Sequence, residues 1–332
     1  KQRTRKVGNG IMKKRFDVIT ELYDRSIREI TKKPENWMNF LRFACRNFRL
    51  PFDEQVLVYV QRPDVEKVLT MEDWRNKFGR WVKRDSKGIA VFDKDAPTMR
   101  LKYYYDVSDT REGKFKRLIR PVPLWEMEDV GREIVQETIS NTFGVVEGRN
   151  FEDTILEASK NAAEDNLPDY LRDLLSGRED SFLEELDELN VEVETKKLLE
   201  ASVSYMLMIR CGVDTEAYYS ADDFQDIRDF NTPILINLLG AAVSDVSEMA
   251  LSPVSDTVIK LQAERKKKNR TFETGQTRGY TESVKTNPDT ERSTENGHNR
   301  IPKKGELSSA EYYRTGGITA SPWEIRITSE KI

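Results

Sequence analysis

The chain has one histidine, His298, and two cysteines, Cys45 and Cys211, in 332 residues. A single imidazole excludes a histidine-based metal site, a histidine-based triad and an HExxH zinc protease. Two distant thiols with no CxxC fit buried cysteines in a reducing cytoplasm. No GxxxxGK[ST] loop occurs, so the chain carries no P-loop. No run of about 18 apolar residues stands out, so no membrane span is predicted. The basic start KQRTRKVGNGIMKKRF lacks the apolar stretch of a secretory signal. Nothing in the sequence calls for a cofactor or a metal.

What is present is charge, unevenly placed. Charged residues make up 34% of the chain and apolar ones 37%, with a net charge of −4. Residues 1–125 hold 30 basic and 17 acidic side chains, a balance of +13. Residues 126–263 hold 10 and 31, a balance of −21, and residues 264–332 hold 14 and 10, a balance of +4. The front is suited to a polyanion; the rear repels one unless it faces away, or the two halves attract each other.

Hydrophobic spacing predicts an α+β fold: a small antiparallel sheet with helices, then a mainly helical part and a polar tail. Residues 1–11 read as a disordered lead or vector remnant. A basic domain is expected over 12–125, an acidic helical domain over 126–268 and a largely disordered tail over 269–332. In the front, helices are predicted from Met12 to Ile30, from Pro34, and over DEQVLVYVQ, with a short one capped by Thr70. The period then changes to two. Arg80–Lys83 and Ile89–Phe92 read as strands around the turn 84–88, and Leu101–Val107 as a third, with Tyr103 and Tyr105 opposite Tyr104. VSDTREGK reads as a loop. Behind Glu126, helices are expected over 130–143, 151–163, 167–175 and 196–210, a capping box is expected at Ser181 and Glu184, and two helices are expected after Pro233 with a break near Pro253.

The organising stretch is Pro51–Thr110. It places Trp74, Trp81 and three tyrosines among closely spaced lysines and arginines. Rings that stack on bases, interleaved with cations that meet phosphates, are what an unpaired strand requires. The candidate nucleic-acid-binding residues are Arg80, Trp81, Lys83, Arg84, Lys87, Lys102, Tyr103 and Tyr105. The alternative is a sheet whose rings fill a core and whose cations keep a face wet. Arg62 is expected to lock the turn to Asp64 or Asp106. The acids Asp222, Asp223, Asp226 and Asp229 read as a solvated face rather than a metal site.

The segments WMNFLRFACRNFRLPFDEQVLVYVQRPD, GRWVKRDSKGIAVFD and YDVSDT resemble the N-terminal domain of ArdC-type antirestriction proteins. The segments NAAEDNLPDYLRDLL, SVSYMLMIRCG and DFNTPILINLLGAAVSDVSEM resemble the region that follows it in large methylase- or helicase-like proteins of conjugative elements. The resemblance spans about residues 37 to 268. It implies single-stranded DNA binding and protection or processing of element DNA. Motifs for the family's metalloprotease, methylase and helicase activities are missing, so no enzyme is expected. Asp85 stands where the family's turn has Gly, which puts phosphate binding by that turn's backbone in doubt.

Two partners follow from these readings. One is single-stranded DNA or another nucleic acid, held by the front. The other is a host defence nuclease, restriction or CRISPR type, inhibited by DNA mimicry through the acidic helices or by nucleic-acid capture. A scaffold that docks on a helicase is the third reading.

Overall fold

A computed structural model describes residues 2–276 except 115–116, 118, 128–130 and 146–148, with side chains described only between residues 14 and 267. Residues 277–332, which hold most of the expected tail and His298, lie outside the described residues. The fold is α+β, as expected: a small antiparallel sheet system near the front and helices elsewhere.

Helix α1 (Gln2–Thr31) starts ten residues ahead of Met12 and so runs through the expected lead. Phe16, Tyr23, Ile27 and Ile30 recur at helical spacing and are buried. Pro34 opens α2 (Pro34–Ala44), where its missing N–H costs nothing, and Trp37, Phe40, Leu41 and Ala44 face inward. In α3 (Phe52–Gln61) Asp53 and Glu54 occupy the first turn, where the helix dipole favours carboxylates. Thr70 caps α4 (Met71–Phe78), its hydroxyl accepting the Asp73 N–H at 3.1 Å.

Five short strands follow this pattern: β1 (Val68–Thr70), β2 (Arg80–Val82), β3 (Ile89–Phe92), β4 (Leu101–Asp106) and β5 (Thr110–Glu112). They form two antiparallel groups, β1-β4-β3 and β2-β5. The two strands expected around residues 84–88 therefore do not pair with each other. β2 pairs with β5, from the segment read as a loop, and β3 pairs with β4. Alternation along β4 holds: Tyr104 is buried, while Tyr103 and Tyr105 point outward. β3 is an edge strand, yet all four of its residues are buried. The Gln61 side chain lies along it, donating to Ala90 O at 2.8 Å and accepting the Ala90 N–H at 3.0 Å. That amide stands in for a neighbouring strand.

Among the described residues the rear holds four α-helices, α5 (Arg132–Phe143), α6 (Phe151–Ser176), α7 (Glu188–Arg210) and α8 (Pro233–Gln276), and two 3-10 segments, Thr215–Ala217 and Ala221–Arg228. Three expected boundaries are corrected. The helices over 151–163 and 167–175 are one, with Pro168 inside it, because buried Ala162, Ala163, Leu167, Tyr170 and Leu174 carry one apolar stripe past the proline. Pro253 likewise lies inside α8, where buried Leu251, Val254 and Val258 continue the stripe. Ser181 opens no helix: its hydroxyl donates to Arg178 O and accepts from Leu183 N in a turn, and α7 begins after the cap Asp187. The span Pro233–Lys267 is long and apolar enough by composition to cross a membrane, against expectation, and 78% of its apolar window is buried inside the protein.

One hydrophobic cluster runs from Phe16 to Val258, across the expected boundary at residue 125. The Phe52 ring of α3 lies against Gly240 of α8, where a Cβ would fall 2.4 Å from it. Trp37 Nε1 donates to Ser202 Oγ at 3.0 Å, and the Tyr23 hydroxyl bonds Asn237 Oδ1. The Arg210 guanidinium stacks 3.8 Å from the Trp125 ring and donates to its carbonyl at 2.8 Å.

Candidate nucleic-acid interface

The corner between β4 and β5 is a 3-10 turn, Val107–Asp109, built by its own side chains. Asp106 accepts the N–H groups of Ser108 at 2.9 Å and of Glu66 and Lys67 at 3.0 Å, while Asp109 accepts the Asp106 N–H at 3.1 Å. Burial alone would raise the Asp106 carboxyl, but hydrogen bonds from Ser108, Lys67 and Glu66 outweigh it and hold the group below the usual carboxylate range. Arg62 reaches this corner, but its close partner is Asp109 at 2.6 Å; Asp64 sits at 4.0 Å.

Against this corner lies the 83–88 segment. Lys83 N donates to Asp109 O at 2.8 Å, its ammonium donates to Ser108 O at 2.6 Å, and Ser86 Oγ donates to Asp109 O at 3.3 Å. At its end, Gly88 passes under the tyrosines: a Cβ there would sit 3.0 Å from Tyr103 Cβ and 3.1 Å from the Tyr105 hydroxyl. Glycine makes this approach without displacing either tyrosine, where a side chain would crowd both. Lys83, Arg84, Lys87, Tyr103 and Tyr105 are thereby gathered around one loop. Tyr103 is 39% exposed and Tyr105 is half-buried. Asp85 stands exposed at the same tip.

Trp81 lies on β2, 52% exposed, two residues from Lys83 and on the same side of the strand. Directly opposite it on β5 is Arg111. Arg84, Lys87 and Arg111 are exposed and form no ion pair among the described residues. Trp81 and Tyr103 thus offer one exposed ring from each sheet, and the exposed cations lie on β2's continuation, the 83–88 loop and β5. Such a surface can stack bases and neutralise phosphates.

Two expected members are drawn inward. Lys102 forms a 2.6 Å ion pair with buried Glu54 Oε1, and Glu54 Oε2 accepts the Tyr104 hydroxyl at 2.7 Å. Beside them Lys94 pairs with buried Asp53 at 2.8 Å. Burial, then the neighbouring Asp53 charge, raises the Glu54 carboxyl; Lys102 and Tyr104 pull it back. Arg80 is half-buried, with Nε donating to Thr110 Oγ1 at 2.7 Å. Its register partner Glu112 shows that Arg80 faces away from Trp81. Trp74 is fully buried and donates to Tyr105 O at 2.7 Å, so it braces β4 from behind.

Arg111 is the residue that sequence reading missed. Its strand is three residues long, too short for a period-two signal, and its pairing partner lies 30 residues upstream. Of the ion pairs seen among the described residues, Arg49–Asp256 at 3.4 Å joins the basic front to the acidic rear, and both side chains are more than half exposed. Among the described residues, Lys83, Arg84, Lys87 and Arg111 form no ion pair with the rear helices.

Compared with protein-family models, with curated proteins and with solved structures, the chain gives no match.

Proposed function

We propose that the chain is a non-enzymatic module that binds an unpaired nucleic-acid strand, single-stranded DNA in the first place, in the cytoplasm. Bases stack on Trp81, Tyr103 and Tyr105, while Lys83, Arg84, Lys87 and Arg111 meet the phosphates. One observation carries this reading: the strands and loop that meet the braced corner carry the exposed rings Trp81 and Tyr103 and the exposed cations Arg84, Lys87 and Arg111, which form no ion pair among the described residues. The resemblance to the ArdC-type domain agrees with it and adds a setting, a mobile-element protein that protects or processes incoming DNA.

Titration of single- and double-stranded oligonucleotides by fluorescence anisotropy at two salt concentrations tests the reading. Tight binding to single strands, falling steeply with salt and indifferent to sequence, is expected. Replacing Lys83, Arg84 and Lys87 together by Ala should weaken it by more than tenfold on the scale of about three lost phosphate contacts. Unaltered affinity in that triple variant removes the proposal.

A second reading rests on the acidic residues of α6 and α7. Exposed Asp165 and Asp169 and half-buried Asp173 recur every four residues on α6, and exposed Glu188 and Glu192 do so on α7. A ladder of carboxylates with about 6 Å between steps resembles a phosphate chain in charge and spacing. Inhibition of a defence nuclease by this face is tested by replacing these five acids with their amides. Loss of inhibition with DNA affinity unchanged supports mimicry; unchanged inhibition excludes it.

A further inference from the structure

A groove of about 770 Å³ runs between α1 and the chain leading into α8, away from the β4–β5 corner, and shares no residue with the surface described above. One wall is α1, with Asp24, Arg25 and Arg28; the other carries Phe182, Arg228 and Asn231. Phe182 is 65% exposed, the most exposed aromatic ring among the described residues. Its backbone is held nonetheless: Phe182 N donates to Asn231 Oδ1 at 3.1 Å, and its neighbours Ser181 and Leu183 are buried. A ring held out on a fixed turn gives the core little and leaves its face open for stacking.

The charged groups divide unequally. Arg25, Arg28 and Arg228 are exposed and form no ion pair among the described residues. The acids are more occupied. Glu29 faces Lys32 at 3.7 Å and accepts weakly from Asn36 at 3.5 Å, while Glu21 is exposed at the rim. Asp24 Oδ1 is shut off from solvent with no hydrogen-bond donor. Burial raises that carboxyl, and Arg28 pulls it partly back. A buried carboxylate oxygen without a donor is costly.

We propose that this groove is a second site, which takes a nucleoside phosphate. A flat base stacks on Phe182, and the phosphate sits among Arg25, Arg28 and Arg228. The two parts of the ligand answer an exposed ring and guanidiniums that form no ion pair among the described residues. Guanidinium forks suit phosphate oxygens in pairs. A free nucleotide and the phosphorylated end of a strand carry the same chemistry, so both are probed.

Isothermal titration of the full chain with AMP, adenosine, ribose 5-phosphate and a 5′-phosphorylated oligonucleotide tests the assignment. Saturable AMP binding is expected, with adenosine and ribose 5-phosphate each weaker. Phe182→Ala should weaken AMP about tenfold, the scale of one base on one ring, and leave ribose 5-phosphate unchanged. Arg28→Ala with Arg228→Ala should weaken both phosphates and spare adenosine. In the Lys83, Arg84 and Lys87 variant, where the basic face is removed, AMP binding tighter than the oligonucleotide assigns a free nucleotide, and the reverse assigns a strand end. No saturable binding of either probe, or equal AMP affinity in Phe182→Ala, overturns the proposal. Loss of AMP binding in the Lys83, Arg84 and Lys87 variant also overturns it, because AMP would then use the basic face. Phe182 is exposed, so its variant should fold, and circular dichroism checks this.

Discussion

Two sets of cations in the front of the molecule, a few residues apart in sequence, meet opposite fates. Lys94 and Lys102 turn inward and end on the adjacent buried carboxylates Asp53 and Glu54. Arg84, Lys87 and Arg111 stay outside with no ionic partner among the described residues. The difference lies in where the anions are. Helix α3 brings two acids in its first turn against the sheet, and the lysines within reach of that turn are captured. A lysine is a candidate ligand contact only after the carboxylates across the fold have been accounted for.

The comparison can be broken most sharply at Glu54. Glu54→Ala leaves Lys102 and Tyr104 without their buried partner and should destabilise the protein by about 3–5 kcal/mol in urea denaturation. Strand affinity of the remaining folded protein should be unchanged. If Glu54→Ala proves as stable as the parent, the inner set is not a structural clamp. The pair Lys102→Met against Arg84→Ala with Arg111→Ala sharpens the contrast. The first should cost stability and spare affinity; the second should reduce affinity about tenfold, flatten the salt dependence and shift stability by no more than about 0.5 kcal/mol. A reversed pattern in that pair would exchange the roles of the two sets.

Trp81→Ala should reduce affinity by about 1–3 kcal/mol with little change in melting temperature, since half of the ring is outside already. An equal effect on stability and affinity would make Trp81 a packing residue. Lys67 gives the smallest effect. Burial, then Arg49 and Lys77, lowers its ammonium to about 8. The unfolded chain therefore binds this proton more tightly, and the group's unfavourable contribution to stability fades as pH rises from about 8 to 10.5. Lys67→Met should be slightly more stable than the parent at pH 7, with the gap closing by pH 10.5. A gap that widens with pH would show the sign to be wrong.

Helix positions were legible because periodic residues such as Phe16, Tyr23 and Ile27 both form the helix and face the core. The cap at Thr70 and the proline at the start of α2 are local chemistry and need no knowledge of the rest. Pairing was not legible. Which strand β2 meets depends on β5, whose three residues carry no pattern of their own. The prolines at 168 and 253 misled for a related reason: local propensity marks a break, but burial on both sides carries the helix through. Of the candidate site, the rings Trp81 and Tyr103 and the loop cations were readable from alternation and clustering. Lys102 was not, because its partner Glu54 lies 48 residues earlier in the chain and on another element.

Gln61 has a consequence for how this molecule meets its own kind. An unguarded outer strand invites a stranger to lie down beside it, and crowded chains then join edge to edge. Here one carboxamide already fills both sockets of Ala90, so the invitation at β3 is withdrawn without any charge being placed there. Exchanging Gln61 for a residue of equal bulk with no amide would reopen that seam, and solutions of the protein should then cloud on concentration.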